Sequence, residues 1–228
     1  MKKILVLSSG GLDSTVLLYK AVKEVGADNV IALNIYYGQK HDKEMEYANW
    51  QYEHLGIRSY TCNLAQAFSF NVNSCSLIKG SNKEIKHETY AQQLEADKFV
   101  NSYVPFRNGL FLSYAASVAI QLGCDDIYYG AHADDAAGNA YPDCSPDFIE
   151  HMTQAIKIGT AKTITMRAPL WDLNKAGVVK LGLELGMTHE EFEHTWSCYE
   201  GKETPCGTCG TCRDRRAAFE ANGITDIA

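Results

Sequence analysis

The residue types in two stretches of this 228-residue chain could do chemistry. The first is Ser8-Ser9-Gly10-Gly11-Leu12-Asp13-Ser14-Thr15, near the N-terminus. The backbone amides of Ser9, Gly10 and Gly11, followed by a helix N-terminus, form a concave nest of N–H donors whose partial positive charge suits a phosphate. Two glycines let the main chain curl round the anion where a Cβ would clash. Ser9 and Ser14 add hydroxyl donors. Asp13 cannot serve the anion itself, so it points to a Mg²⁺ bridging phosphate oxygens. The Walker pattern is absent, because no lysine follows the glycines. The alternative is an ordinary strand-to-helix turn with Asp13 as the helix N-cap.

The second stretch is "WSCYEGKETPCGTCGTC", in which seven residues separate Cys198 from Cys206 and two-residue gaps lead on to Cys209 and Cys212. Four thiolates round one tetrahedral ion suit zinc, and Gly207 and Gly210 permit the tight turns that gather them. Such a site is closed, which makes the metal structural and pins the following "RDRRAAFEANG" helix to the body. Lys202, Arg213, Arg215 and Arg216 would offset the negative charge of the thiolates. An iron–sulfur cluster and redox-active cysteines are the alternatives. Cys62, Cys75 and Cys124 read as small core or loop residues.

The elements that must position these groups follow from hydrophobic periodicity. Residues 3–8, 30–37 and 59–64 read as strands. Residues 13–25 and 43–55 read as helices closed by Gly26 and Gly56. Three β-α repeats imply parallel strands with crossover helices, hence a doubly wound α/β sheet with helices on both faces. The pattern weakens over 65–104, where only 88–100 suggests a helix; so long a stretch is either disordered or a lid over a site. Order returns with a helix opening at Arg107 and Asn108, a strand at 126–130, a helix to about 158, a strand at 163–169 and a helix at 174–185. Asn174 or Asp172 caps the last of these, and Gly186 lies past its end. Trp50, Trp171 and Trp196 read as core or interface packing. Residues 1–190 are expected to form the nucleotide domain and 191–228 a small cysteine module packed on it.

Composition narrows the function. A net charge of −7 argues against a protein that holds nucleic acid mainly through phosphate contacts. The apolar run Ile4 to Leu7 is too short for a signal peptide, and no window approaches the roughly 18 apolar residues of a membrane span. A soluble, cytoplasmic chain is expected, in which eight cysteines stay reduced.

"SGGLDS" resembles the pyrophosphate loop of the N-type ATP pyrophosphatases, which adenylate an oxygen and then let nitrogen or sulfur displace AMP. With "VPFRNGLFLSYAASVA", "GAHADDAAGNAYPDC", "APLWDLNKAGVV" and the terminal cysteines, nearly the whole chain resembles the 7-cyano-7-deazaguanine synthase family of queuosine biosynthesis. The resemblance implies conversion of 7-carboxy-7-deazaguanine, ammonia and ATP to the nitrile through an amide, with Mg²⁺, a structural zinc and a homodimer, and no direct nucleic-acid partner. It makes Tyr141 an aromatic face and Asp143 an acceptor for guanine N–H groups. The alternative for Tyr-Pro-Asp is a plain turn. Arg107 would neutralise a carboxylate or an α-phosphate. Asp134 and Asp135 follow a strand's carboxyl end, where doubly wound sheets place their sites, and either is a candidate Mg²⁺ ligand. His132 reads as a proton shuttle or a hydrogen-bonded structural histidine. A tRNA sulfur transferase is the competing enzyme reading, since some of that superfamily carry C-x-x-C modules.

Overall fold

A computed structural model describes residues 1–40 and 42–225; residues 226–228 of the expected cysteine module lie outside the described residues. Strands β1 (Ile4–Leu7), β2 (Val30–Tyr36), β3 (Arg58–Asn63), β4 (Asp126–Tyr128) and β5 (Thr165–Arg167) form one sheet in the order β3-β2-β1-β4-β5. Every pairing is parallel. The expected doubly wound α/β class is what the chain adopts. The last two strands are shorter than their apolar runs, since Ile164 and Ala168 stay buried beyond the three paired residues of β5.

Alternation along the strands builds two cores. Ile4 and Val6 of β1 face helices α1 (Leu12–Val25) and α2 (Lys43–Leu55), with Val16, Leu17 and Ala48 against them. Leu5 between them, with Ile31, Leu33 and Ile127, packs on the opposite face. Burying each such side chain contributes roughly 1.5–3 kcal/mol. Helix α3 (Tyr90–Ala96) is a short piece of the weakly patterned stretch, ordered by a Thr89 capping box with Gln92. That stretch is ordered and folds back, with Phe68, Leu77 and Ile78 packed on Tyr37. Of the two readings the sequence left for it, a wall over the site is the one observed.

Helix α4 (Arg107–Leu122) lies on the second face, and α5 (Ala133–Ala136) follows β4. Helix α6 (Pro146–Gly159) is capped by Ser145, and α7 (Lys175–Glu184) by Asn174, whose Oδ1 accepts from Gly177 N at 2.8 Å. Asn174 rather than Asp172 is therefore the cap. Helices α8 (His189–Glu193) and α9 (Gly210–Ala221) complete the chain, α9 lying against α7 with Ala218 and Phe219 in the β1 core. Trp196 is buried; Trp50 stacks between His54 and His194; Trp171 is half exposed, which of its core-or-interface reading leaves only the interface. Within the described residues no helix is long and apolar enough to cross a membrane.

Candidate active site

The sheet order reverses between β1 and β4, and the loops leaving their carboxyl ends part there to leave a crevice. A cavity of about 640 Å³ fills it, lined among others by Ser9, Asp13, Arg107, His132, Lys175 and Tyr199.

The Gly-rich loop is shaped by packing as much as by turn chemistry. Gly10 has φ +94°, and a Cβ there would lie 1.9 Å from the Glu44 carbonyl oxygen, so α2 closes on the loop through a gap only glycine leaves. Gly10→Ala is therefore expected to lose about 3 kcal/mol of stability through strain and overlap, read by urea denaturation. The N-cap of α1 is Gly11, with no side-chain capping bond, which places Asp13 inside the helix and removes the turn-cap reading for it. Two of the three nest amides are held by the loop's own hydroxyls: Ser9 N donates to Ser14 Oγ at 3.1 Å and Gly11 N to Ser9 Oγ at 3.2 Å. Ser8 Oγ, buried at the cavity wall, has no partner among the described residues. Gly10 and Thr15 lie outside the lining; Thr15 is fully buried and donates to Gly11 O at 3.0 Å, and Leu12 belongs chiefly to the core.

Asp13 meets a residue the sequence reading passed over. Lys175 Nζ donates to its two carboxylate oxygens at 2.8 and 2.6 Å, and lies 3.3 Å from His132 Nε2. Burial works to raise the Asp13 carboxyl, but the Lys175 charge, His132 and the hydrogen bonds together hold it below its ordinary value. Asp134 Oδ2 accepts from the Lys175 backbone N at 2.7 Å, tying α5 to the start of α7. Asp135 Oδ2 accepts from His132 N at 3.3 Å; burial raises its carboxyl, with the Asp13 charge adding and His132 and Lys175 opposing. Lys175 was hidden in sequence because it follows a helix cap, where a lysine reads as surface charge; 162 residues separate it from Asp13.

Arg107 stacks its guanidinium over Tyr37 and Phe111, 5.2 and 5.8 Å from the ring centroids, and donates to Tyr37 Oη at 3.3 Å. No carboxylate among the described residues pairs with it. Glu44 lines the same cavity; its carboxylate accepts no hydrogen bond from any described residue and is pushed up to about 7 by burial, with Arg107 opposing. Tyr141 also lines the cavity, its hydroxyl joined to those of Ser102, Tyr90 and Tyr199 at 2.5, 3.2 and 3.3 Å. Asp143, expected beside Tyr141 as an acceptor for substrate, is not in the lining. Its Oδ2 accepts from Asn108 N at 2.9 Å, where the first turn of α4 lacks a local side-chain cap and attracts a negative charge.

The four cysteine sulfurs lie within 4.8 Å of one another. Sulfurs 2.3 Å from a shared centre stand about 3.8 Å apart, so the set fits one tetrahedral ion more closely than a cubane, which spreads its thiolates over separate irons. Backbone amides of Cys206 and Cys209 donate to the sulfurs of Cys198 and Cys206, both at 3.3 Å, as suits thiolates. Arg215, expected to offset their charge, is buried, bonding Thr195 Oγ1 at 2.6 Å, Phe192 O at 2.9 Å and, beside Cys198, Ser197 Oγ at 3.4 Å. Among the described residues no other group of three or more metal-ligating side chains is gathered this closely.

A parallel sheet, a Gly-rich loop at its switch point and a cysteine cluster beside it define a nucleotide-binding α/β protein of the pyrophosphate-loop type. Its fold resembles the U34-tRNA thiolase NcsA from Methanococcus maripaludis with its [4Fe-4S] cluster, with a TM-score of 0.51 and 17% identity over 97% of this chain and 66% of that one. Residues 3–223 match the family described as Queuosine biosynthesis protein QueC, and the chain belongs to that family. It is 38% identical to 7-cyano-7-deazaguanine synthase 2 of Colwellia psychrerythraea (99% of this chain, 97% of the relative). Identity is 40% to the 7-cyano-7-deazaguanine synthase of Oceanobacillus iheyensis (99% and 96%) and 36% to that of Archaeoglobus fulgidus (98% and 88%).

Proposed function

We propose that the chain is an ATP-dependent carbon–nitrogen ligase that converts 7-carboxy-7-deazaguanine and ammonia to 7-cyano-7-deazaguanine, through an adenylated acid and an amide, in one cavity. The observation that carries this reading is the convergence, in one space, of a phosphate-type loop, a lysine held by Asp13, and an arginine without a carboxylate partner. A carboxylic acid is a poor electrophile until its oxygen carries a good leaving group. The loop residues Ser9 to Ser14 receive the departing pyrophosphate, their amides exchanging Ser9 and Ser14 hydroxyls for phosphate oxygens. Asp13 holds Lys175 at the mouth of that loop, and Arg107 draws the acid to the α-phosphate. ATP enters as its Mg²⁺ complex, with Asp13, Asp134 and Asp135 the carboxylates at hand. The cation would supply charge neutralisation on the leaving group. Tyr141 forms part of the wall against which the flat base rests.

Cys198, Cys206, Cys209 and Cys212 would hold one structural zinc, keeping residues 191–228 against the 1–190 body. The family match and the relatives' names favour this reading over a tRNA sulfur transferase, and the likeness to the thiolase bears on fold alone.

The test supplies synthetic 7-amido-7-deazaguanine with ATP and no ammonium. Nitrile should form, with AMP and pyrophosphate in equal amounts, because the amide oxygen can be adenylated where the acid was. Unreacted amide, under conditions where the acid does react with ammonium, would mean that the chain is an amide synthetase only.

A further inference from the structure

Both nitrogen steps release protons, and the carboxylates and histidine nearest the loop are engaged. Asp13 pairs with Lys175 and Asp134 accepts from the Lys175 backbone, while Asp135 accepts from His132 N. His132 is buried, its Nε2 3.3 Å from the Lys175 ammonium and 3.8 and 3.5 Å from the Asp13 and Asp135 carboxylates, away from solvent. Glu44 differs. It stands on the first turn of α2, whose backbone touches the loop at Gly10, and it faces the cavity that Arg107 also lines. Its carboxylate makes no hydrogen bond or ion pair with any described residue, and the residue is partly exposed, so it can exchange protons with solvent.

We infer that Glu44 is the general base of this reaction, taking the proton from nitrogen in both the amide-forming and the nitrile-forming step. The inference rests on the proposed reaction and adds the group that reaction lacks. In the first step ammonia's lone pair forms the C–N bond, the C–O bond to AMP breaks, and one N–H proton passes to the Glu44 carboxylate. In the second, adenylation of the amide oxygen gives a protonated imidate that sheds one N–H proton to solvent, and the neutral O-adenyl imidate then loses its remaining N–H proton to Glu44 as the C–O bond to AMP breaks and the third C–N bond forms. Glu44 then returns each proton to solvent. No oxidant or reductant is needed.

Charge around the group suits the task. Among the described residues Arg107, from α4, is the charged side chain that acts on Glu44 and lowers its affinity for a proton. Burial raises it further than Arg107 lowers it, and the Tyr37 phenol beside them stays protonated, raised to about 12 by its own burial. A carboxylate balanced at about 7 is largely ionised above neutrality and still basic enough to accept a proton.

The experiment measures Glu44→Gln and Glu44→Asp in the full chain, by acid-dependent ATP–pyrophosphate exchange and by steady-state nitrile formation from pH 5.5 to 9. Adenylation needs no base, so exchange by Glu44→Gln should stay within about threefold of wild type while kcat for nitrile falls about 100-fold or more. The acidic limb of the wild-type kcat profile, centred near the Glu44 value of about 7, should disappear in Glu44→Gln and persist in Glu44→Asp. Three results would overturn the inference: unchanged kcat in Glu44→Gln, a loss confined to KM, or loss of exchange together with turnover. If Glu44→Gln does not fold, Glu44→Asp alone must keep the acidic limb at reduced kcat. A wild type that neither exchanges pyrophosphate with the acid nor makes nitrile overturns the reaction itself, a result separable from failure of the variant alone.

Discussion

Asp13→Asn should cut ATP-dependent turnover by about 10²–10³-fold, the usual loss when one preorganised electrostatic group is removed, and leave the chain folded. Asparagine keeps the shape of the side chain and its place inside α1, where Gly11 is the cap, so the substitution removes charge and little else. What the charge does is visible in its contacts: Lys175 Nζ is fixed by both oxygens of Asp13, at 2.8 and 2.6 Å. With a neutral amide in place, the ammonium keeps one acceptor and no counter-charge, and drifts from the loop that is to hold pyrophosphate. Lys175→Met should lose about as much, and the double variant little more than either, because the two residues act as a unit. Turnover and pyrophosphate exchange report the activity, and thermal melting reports the fold. Near wild-type turnover in Asp13→Asn would remove Asp13 from the machinery. The pair also carries a pH consequence. Asp13 is held below the ordinary carboxylate value of 3.8, so its contribution to stability is fully present above that value and is lost only as pH falls through the lower folded one. The neutral range, where Glu44 is expected to titrate, is untouched by it.

Removing the metal, or one of its ligands by Cys209→Ser, should cost about 3–5 kcal/mol, or about 10 °C in melting temperature for a chain of this size. Thiolates drawn this close repel one another without a cation between them, and three of the four are buried. Activity should fall in parallel, because the same segment supplies part of the cavity wall. Ser197, Tyr199, Thr211 and Asp214 line it, and Trp196 N donates to Gly10 O at 2.9 Å, joining the cysteine segment to the pyrophosphate-type loop. Elemental analysis should find one zinc per chain. A metal-free protein of full stability, or four irons after anaerobic purification, would overturn the assignment.

Lys175 and Glu44 show how far a site can hide in sequence. Each sits at a helix start among polar neighbours, where a charged residue is expected to be solvated. Asp143 shows the reverse: it reads as a ligand reader, yet it lies outside the lining and one of its oxygens accepts from the amide of Asn108 in the first turn of α4, 35 residues distant, while the other is buried with no partner among the described residues. Arg215 likewise reads as one of a basic patch and is instead buried, stitching α9 to the chain before it.

From the sequence alone the strand-loop-helix opening, the α/β class, the Gly-Gly loop and the four-cysteine set are determined, because each is a local matter of side-chain period, backbone permissiveness or ligand spacing. Tertiary structure alone decided which charges meet. Sheet order 3-2-1-4-5 brings the end of β1 beside the end of β4, and so sets Asp13 against His132 and Lys175; folding of residues 65–104 onto Tyr37 closed the wall above them. The physical reason is that electrostatic and packing partners are chosen by distance in space. Over 100 residues of intervening chain, periodicity carries no information about that distance.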